Sequence, residues 1–258
     1  MIFPDRCAVC DCIIDYDDAR YIRKMFTAKN GYIYQFTKKE LEDIFCKFIC
    51  EECAGELDYI GENFCTKCGK RLTAANFERM ICTDCAEKLR MFEKCFCVFQ
   101  YNKSAREMAA MFKYEHRKDK LELVSFSLAA KLRYELKDIK IDAVVPVPVH
   151  KSRLKDRGYN QAEVIAEIVG RGLNIPVKRN MLIRNAQTKA QNSLNRNQRI
   201  VNLRQAFSVG YTKEAAESVL IIDDIYTTGA TMEACTEALL AAGVKKVYGA
   251  CIFAGPDR

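Results

Sequence analysis

Val219-Leu-Ile-Ile-Asp-Asp-Ile-Tyr-Thr-Thr-Gly-Ala-Thr231 begins as an almost unbroken apolar run and ends as a hydroxyl-rich turn. Val219 to Ile222 reads as a strand buried on both faces, because a strand with one wet face would alternate. Thr228–Ala242 reads as a helix that stops at Gly243. Thr227, Thr228, Gly229, Ala230 and Thr231 open that helix. There, backbone N–H groups and hydroxyls can hold a phosphate, and Gly229 lets the backbone approach it closely. Asp223 and Asp224 stand at the carboxyl end of the strand, facing the crevice where open α/β sheets bind ligands. They suit ribose hydroxyls or a Mg2+ ion, not the phosphate itself. Paired carboxylates beside an apolar strand end are costly without such a role.

On either side of this stretch, helices and strands alternate. Ala105–Tyr114 and Leu121–Leu136 carry apolar residues at helical spacing. Ile141-Asp-Ala-Val-Val-Pro-Val-Pro-Val149 reads as a buried strand running into a stiff, proline-marked loop. Gln161–Arg171 reads as a helix, Ile175–Leu182 as a strand after the Gly172 break, and Lys246–Ala254 as the last strand. The expected class is α/β, a parallel sheet with helices on both faces. No run approaches the ~18 apolar residues of a membrane helix, and Met1–Cys7 lacks the apolar core of a secretory signal. The expectation is a cytoplasmic chain with no membrane insertion.

The 258 residues are 49% hydrophobic, which excludes wholesale disorder. Up to Cys97 the chain has 15 basic and 17 acidic residues; beyond it, 26 and 17. Twelve of the 14 cysteines also fall in that first stretch. The reading is a Cys-rich domain over residues 1–95 and an α/β domain over 96–258, with the boundary near Phe92–Phe99.

Four Cys-x-x-Cys pairs stand in order, and a two-residue gap lets both thiolates of a tight turn face one tetrahedral ion. The two histidines, His116 and His150, lie beyond the cluster, so any metal site there is built from four cysteines. The assignment is Cys7, Cys10, Cys50 and Cys53 on one ion, and Cys65, Cys68, Cys82 and Cys85 on a second, both structural and best suited to Zn2+. Cys46 could replace Cys50, and buried free thiols or redox dithiols are the alternatives. Cys12, Cys46, Cys95 and Cys97 are left over.

The Asp223–Thr231 stretch resembles the 5-phosphoribosyl-1-pyrophosphate (PRPP) motif of type I phosphoribosyltransferases. Val145-Pro-Val-Pro-Val-His150, Arg157-Gly-Tyr-Asn-Gln161, Gln191, Leu194, Arg199, Asn202 and Ala206-Phe207 extend the likeness to the ComF family of competence proteins. The preceding double zinc ribbon resembles that family too, so the resemblance covers essentially the whole chain. It implies that Asp223 and Asp224 hold ribose hydroxyls with Mg2+ nearby, and that Thr227–Thr231 holds the 5′-phosphate. It also implies that Pro146–Lys151, with Val147 and Pro148, is the pyrophosphate loop, flanked by Arg157 and Asn160. Arg184 to Arg199 corresponds to the loop that closes over pyrophosphate, with Lys189 its reaching cation. Tyr226 stands where many of the family have a small or aliphatic residue, an exchange read as tolerated.

The family's role in DNA uptake during natural transformation implies single-stranded DNA and other competence proteins as partners. The residues bear on that directly. No Asp or Glu occurs from Ile168 to Lys213, while Lys178, Arg179, Arg184, Lys189, Arg196, Arg199, Arg204 and Lys213 supply cations for an anionic partner. In Tyr16–Lys47, aromatic residues interleave with lysines and arginines, and could stack bases or pack inward as a ribbon. His150, with no Ser or Cys nucleophile paired to it, reads as fixing a loop. The alternatives to a competence factor are phosphoribosyl transfer to an unidentified acceptor and a non-enzymatic PRPP sensor.

Overall fold

A computed structural model describes residues 7, 10, 12–13, 50–115, 117–185, 206–210 and 216–257. Four strands form a parallel sheet in the order β1-β6-β5-β2: β1 (Cys95–Gln100), β2 (Ala143–Pro146), β5 (Ser218–Tyr226) and β6 (Lys246–Ala254). Ile222 pairs with Ala250 on one side and Pro146 on the other. The Val219–Ile222 run is therefore part of a central strand and buried on both faces.

Helix α3 (Lys103–Tyr114), α4 (Lys118–Glu135) and α6 (Gln161–Leu173) cover one face. There Leu121, Leu128, Ile165 and Val169 pack on Val98, Leu220, Ile222 and Ile252. Helix α7 (Ala230–Ala241) covers the other, where Met232, Cys235 and Leu239 pack on Val145, Val219, Ile221 and Cys251. Among the described residues there are also the short helices α1 (Glu51–Glu56), α2 (Thr83–Glu87) and α5 (Lys151–Arg157) and a 3-10 turn at Ala74–Asn76, and β3 (Leu182–Arg184) and β4 (Phe207–Val209) form a separate antiparallel pair.

The helices at Ala105–Tyr114, Leu121–Leu136 and Gln161–Arg171 form where expected, as do the strand at Lys246–Ala254 and the helix before Gly243. The strand expected over Ile175–Leu182 does not form. Only Val177 bridges to Val144, through Val144 N–H to Pro176 O and Lys178 N–H to Val144 O, both 2.9 Å. Pro176 has no N–H to extend the ladder, and the next strand begins at Leu182.

The Cys-rich segment is sewn to the sheet. Ile60 N–H donates to Val98 O, Gln100 N–H to Asp58 O and Cys95 N–H to Lys67 O. Lys131, buried, donates to Cys97 O at 2.7 Å and lies 5.3 Å from the Phe64 ring centroid. The chain end closes over the same segment, with the Asp257 carboxylate accepting from Thr83 N–H at 3.0 Å and Asn76 Nδ2 at 2.8 Å.

Candidate functional site

Strand β5 carries Asp223 to its carboxyl end and turns through Thr227 and Thr228 into α7. Gly229 makes the turn in the left-handed region at φ +79 and has no side chain to cap the helix, and Thr228 Oγ1 accepts from Ala230 N–H at 3.4 Å. The first-turn N–H groups of a helix have no intrahelical acceptor. Asp223, Ile225–Met232 and Cys251 line a small, partly open crevice at this point. Asp223 and Thr227–Thr231 thus share one crevice. Within its wall, the buried Tyr226 Oη has no hydrogen-bond partner among the described residues. The N–H groups of that first turn suit a phosphoryl group, and the Tyr226 hydroxyl packs beneath Gly229.

Asp224 stands beside the pocket. Its Oδ2 lies 2.7 Å from Lys113 Nζ, both side chains being only 18% exposed. Asp224 N–H donates to Asp223 Oδ1 at 2.9 Å. Burial, then the adjacent Asp224 charge, pushes the Asp223 carboxyl well above its ordinary value, and Lys113 works against that rise. A site that holds two carboxylates against one ammonium has room for a cation or for hydroxyl donors.

Val147 N–H donates to Ile222 O at 2.9 Å, which carries the β2–β5 ladder one residue into the proline loop. Val147 O accepts from Asn160 Nδ2 at 3.0 Å. Asn160 also caps α6, its Oδ1 accepting from Ala162 N–H at 3.1 Å, so it fastens the loop to the helix. Pro148 is half-buried just beyond. Arg157 Nη1 donates to Gln161 Oε1, and Gln161 Nε2 in turn donates to Phe112 O. Tyr159 Oη reaches the same carbonyl at 2.5 Å. His150 caps α5, its Nδ1 accepting from Ser152 N–H at 3.2 Å. Arg157 and Asn160 belong to the frame around the crevice and do not line the pocket of Asp223 and Thr227–Thr231.

Lys189, most of the Arg184–Arg199 loop, Cys46 and the Tyr16–Lys47 insertion lie outside the described residues. Within the acid-free tract, Arg179 is engaged by Glu163 and Glu167 at 3.1 and 2.8 Å. Arg184 stacks on Phe207, its guanidinium 5.4 Å from the ring centroid, and its Nε has no partner among the described residues. Burial lowers its pKa, with the Arg153 charge adding to this and Asp223 opposing it.

The eight assigned cysteines gather into two clusters, Cys7/Cys10/Cys50/Cys53 and Cys65/Cys68/Cys82/Cys85, with the sulfurs of each cluster all within 4.8 Å of one another. Cys10 and Cys50 sulfurs are 3.6 Å apart, and Cys68 and Cys82 sulfurs 3.5 Å. A tetrahedron with Zn–S bonds near 2.3 Å has edges of about 3.8 Å, so both sets fit a four-sulfur metal. The Cys12 N–H holds the Cys10 thiol down to about 6. Gly69, at φ +76, lets the second knuckle press against β1, where a Cβ would meet Cys95 O at 2.7 Å. The leftover Cys95 and Cys97 are buried strand residues.

Sequence reasoning missed Lys113 and Tyr226. Lys113 sits in the last turn of an ordinary amphipathic helix, and no local pattern ties it to an acid far along the chain. Tyr226 was visible as a large residue in a tight turn, but its burial was not.

A family model described as the phosphoribosyl transferase domain matches residues 118–258. Competence protein F of Haemophilus influenzae is 26% identical over 79% of this chain and 95% of its own length. Competence protein ComFC of Streptococcus pneumoniae is 29% identical over 77% and 84%. The DNA utilization protein YhgH of Escherichia coli is 24% identical over 79% and 89%. The chain belongs to the phosphoribosyl transferase domain family and, within it, to the ComF-type proteins that these relatives represent.

Proposed function

We propose that the chain binds PRPP with Mg2+ in the Asp223–Thr231 crevice and serves in DNA uptake during natural transformation, in the cytoplasm and in contact with single-stranded DNA. The observation that carries the ligand reading is the N-terminus of α7, opened by Gly229, in one crevice with the carboxyl end of β5 and its Asp223. In this arrangement Thr227–Thr231 offers donors to the 5′-phosphate, and Asp223 and Asp224 accept from ribose hydroxyls. Mg2+ supplies neutralisation of the pyrophosphate when bound. The two four-cysteine sites hold structural Zn2+, and their closed sulfur sets leave no position for chemistry. The competence reading is supported by relatives named as competence proteins, and the DNA reading by the acid-free basic tract.

Calorimetric titration with PRPP, with and without MgCl2, tests the site. Binding that needs Mg2+ and is lost in Asp224→Asn supports it, and full affinity in that variant refutes it. Pyrophosphate release in the same mixtures would mark phosphoribosyl transfer or hydrolysis, whereas binding without release fits a sensor or a DNA-handling role. Fluorescent single-stranded oligonucleotides should bind with an affinity that falls steeply as salt rises. No binding in low salt would remove the DNA contact.

A further inference from the structure

The two four-cysteine clusters sit in different layers. Cys7 and Cys53 pack with α3 and α4 on one face of the sheet. Cys65, Cys68 and Cys82 pack on the opposite face, in the layer that holds Tyr226 and Met232. Only the second cluster therefore shares a packed layer with the phosphate turn.

Tyr226 lies between them. It is 2% exposed, and a Cβ built on Gly229 would stand 2.3 Å from its Oη and 2.7 Å from its Cζ. Its ring thus supports the turn from beneath. On its other side Phe92, at 0% exposure, meets it edge-on with centroids 6.3 Å apart. Lys70 Nζ is 6.0 Å from the Tyr226 centroid. The same ammonium, buried to 2% exposure, donates to Asp84 Oδ2 at 2.6 Å and Pro256 O at 3.2 Å. Asp84 stands between the ligands Cys82 and Cys85. Gly255 N–H donates to Tyr226 O at 2.7 Å.

A second strand of contacts reaches α7 itself. Glu233, in the first turn of α7, accepts from Met91 N–H at 3.3 Å.

We infer that the second four-cysteine site is the footing of the phosphate turn, with Tyr226 as the positioning residue between them, so that metal loading there and phosphate binding strengthen each other. The inference rests on the ligand reading above and adds a regulatory link that the first cluster does not share. Losing the metal frees Cys82 and Cys85, and with them the Asp84–Lys70 contact beside Tyr226 and the Met91–Glu233 contact on α7. Linkage makes the effect reciprocal: a phosphate ligand that needs the turn in place must also retain the metal.

The test uses the full chain loaded with two Zn2+ and ribose 5-phosphate as the probe. Calorimetry first measures whether ribose 5-phosphate binds. Chelator-driven Zn2+ release is then followed with a chromogenic indicator. Release should occur in two phases, the slower from the more buried second set. Ribose 5-phosphate should slow that phase about fivefold or more, the low end of ordinary couplings, and leave the faster phase unchanged. In Tyr226→Leu the slowing should vanish, while Tyr226→Phe, which keeps the ring, should retain it. If ribose 5-phosphate binds but neither phase responds, the link is refuted and the ligand site stands. If ribose 5-phosphate does not bind at all, the ligand reading fails and the link falls with it. The same fate follows if Tyr226→Phe loses the slowing as Tyr226→Leu does, because the ring is then not the support. The unmodified chain decides the link by itself, whether or not the variants fold.

Discussion

Gly229→Ala puts the Thr227–Thr231 turn under a calculable load. Gly229 adopts φ +79, and an alanine in the left-handed region costs about 1–2 kcal/mol. The new Cβ would also lie 2.3 Å from Tyr226 Oη and 2.7 Å from Cζ. Tyr226 has little room to withdraw, because Phe92 and Lys70 pack against it from the other side. Overpacking of this kind costs about 1–3 kcal/mol. The two contributions together predict a loss of about 2–5 kcal/mol. At roughly 2–4 °C per kcal/mol for a chain of this size, the Tm should fall by about 4–20 °C. The assay is thermal unfolding of the zinc-loaded chain by circular dichroism, repeated in a Tyr226→Leu background. Removing the ring relieves the clash but not the backbone strain. The double variant should therefore fall short of the summed losses by about 1–3 kcal/mol. Additivity within about 0.5 kcal/mol, or a Gly229→Ala chain that melts with the parent, would refute the contact between the turn and the tyrosine.

Lys113→Met leaves Asp224 half-buried beside Asp223 with its ammonium gone. The expected cost is about 1.5–3 kcal/mol, the range for hydrogen bonds to charged groups. MgCl2 should restore more of the lost Tm in this variant than it adds to the parent; equal effects would argue against the acid pair as a cation site. Exhaustive chelation should lower stability far beyond any single substitution, since structural zinc contributes on the order of 10–16 kcal/mol per site. Elemental analysis should count two ions per chain, and a single ion would remove one cluster. Asp142 accepts from Ser218 N–H and Glu217 N–H, both at 3.0 Å, and the Ser218 bond leads the causes that depress its pKa. A depressed folded value means that its contribution is complete above the ordinary carboxylate range and is lost as pH falls through the folded value. Asp142→Ala should flatten the acid limb of the Tm–pH curve and leave its neutral region parallel to that of the parent. An unchanged acid limb would show that the bonds at the start of β5 contribute nothing.

Much of the fold follows from short-range pattern. The Val219–Ile222 run, the helical spacing of Leu121, Val124, Leu128 and Leu132, and the Gly243 stop need no partner to be read, because period and turn chemistry are properties of neighbouring residues. Cys65-x-x-Cys68 and Cys82-x-x-Cys85 were recognisable for the same reason, since ligand spacing is local. The failure at Ile175–Leu182 shows the limit. Its apolar residues satisfy a strand pattern, but Pro176 interrupts the ladder and the chain contributes a single bridge.

The sequence by itself determined the parallel α/β class, the placing of Asp223–Thr231 at a strand-to-helix turn and the pairing of cysteines at metal-ligand spacing, and the structure chose Cys50 for the first set of four. Tertiary structure alone decided which partners these groups meet. Lys113 reaches Asp224 across 111 positions of chain, and Lys70 reaches Pro256 across 186. Such pairings depend on how helices and knuckles stack on the sheet, and no local period encodes that. The same stacking set the two cysteine clusters on opposite faces, placed Tyr226 beneath Gly229, and joined a Cys-rich segment that reads as separate to the floor of the Thr227–Thr231 turn.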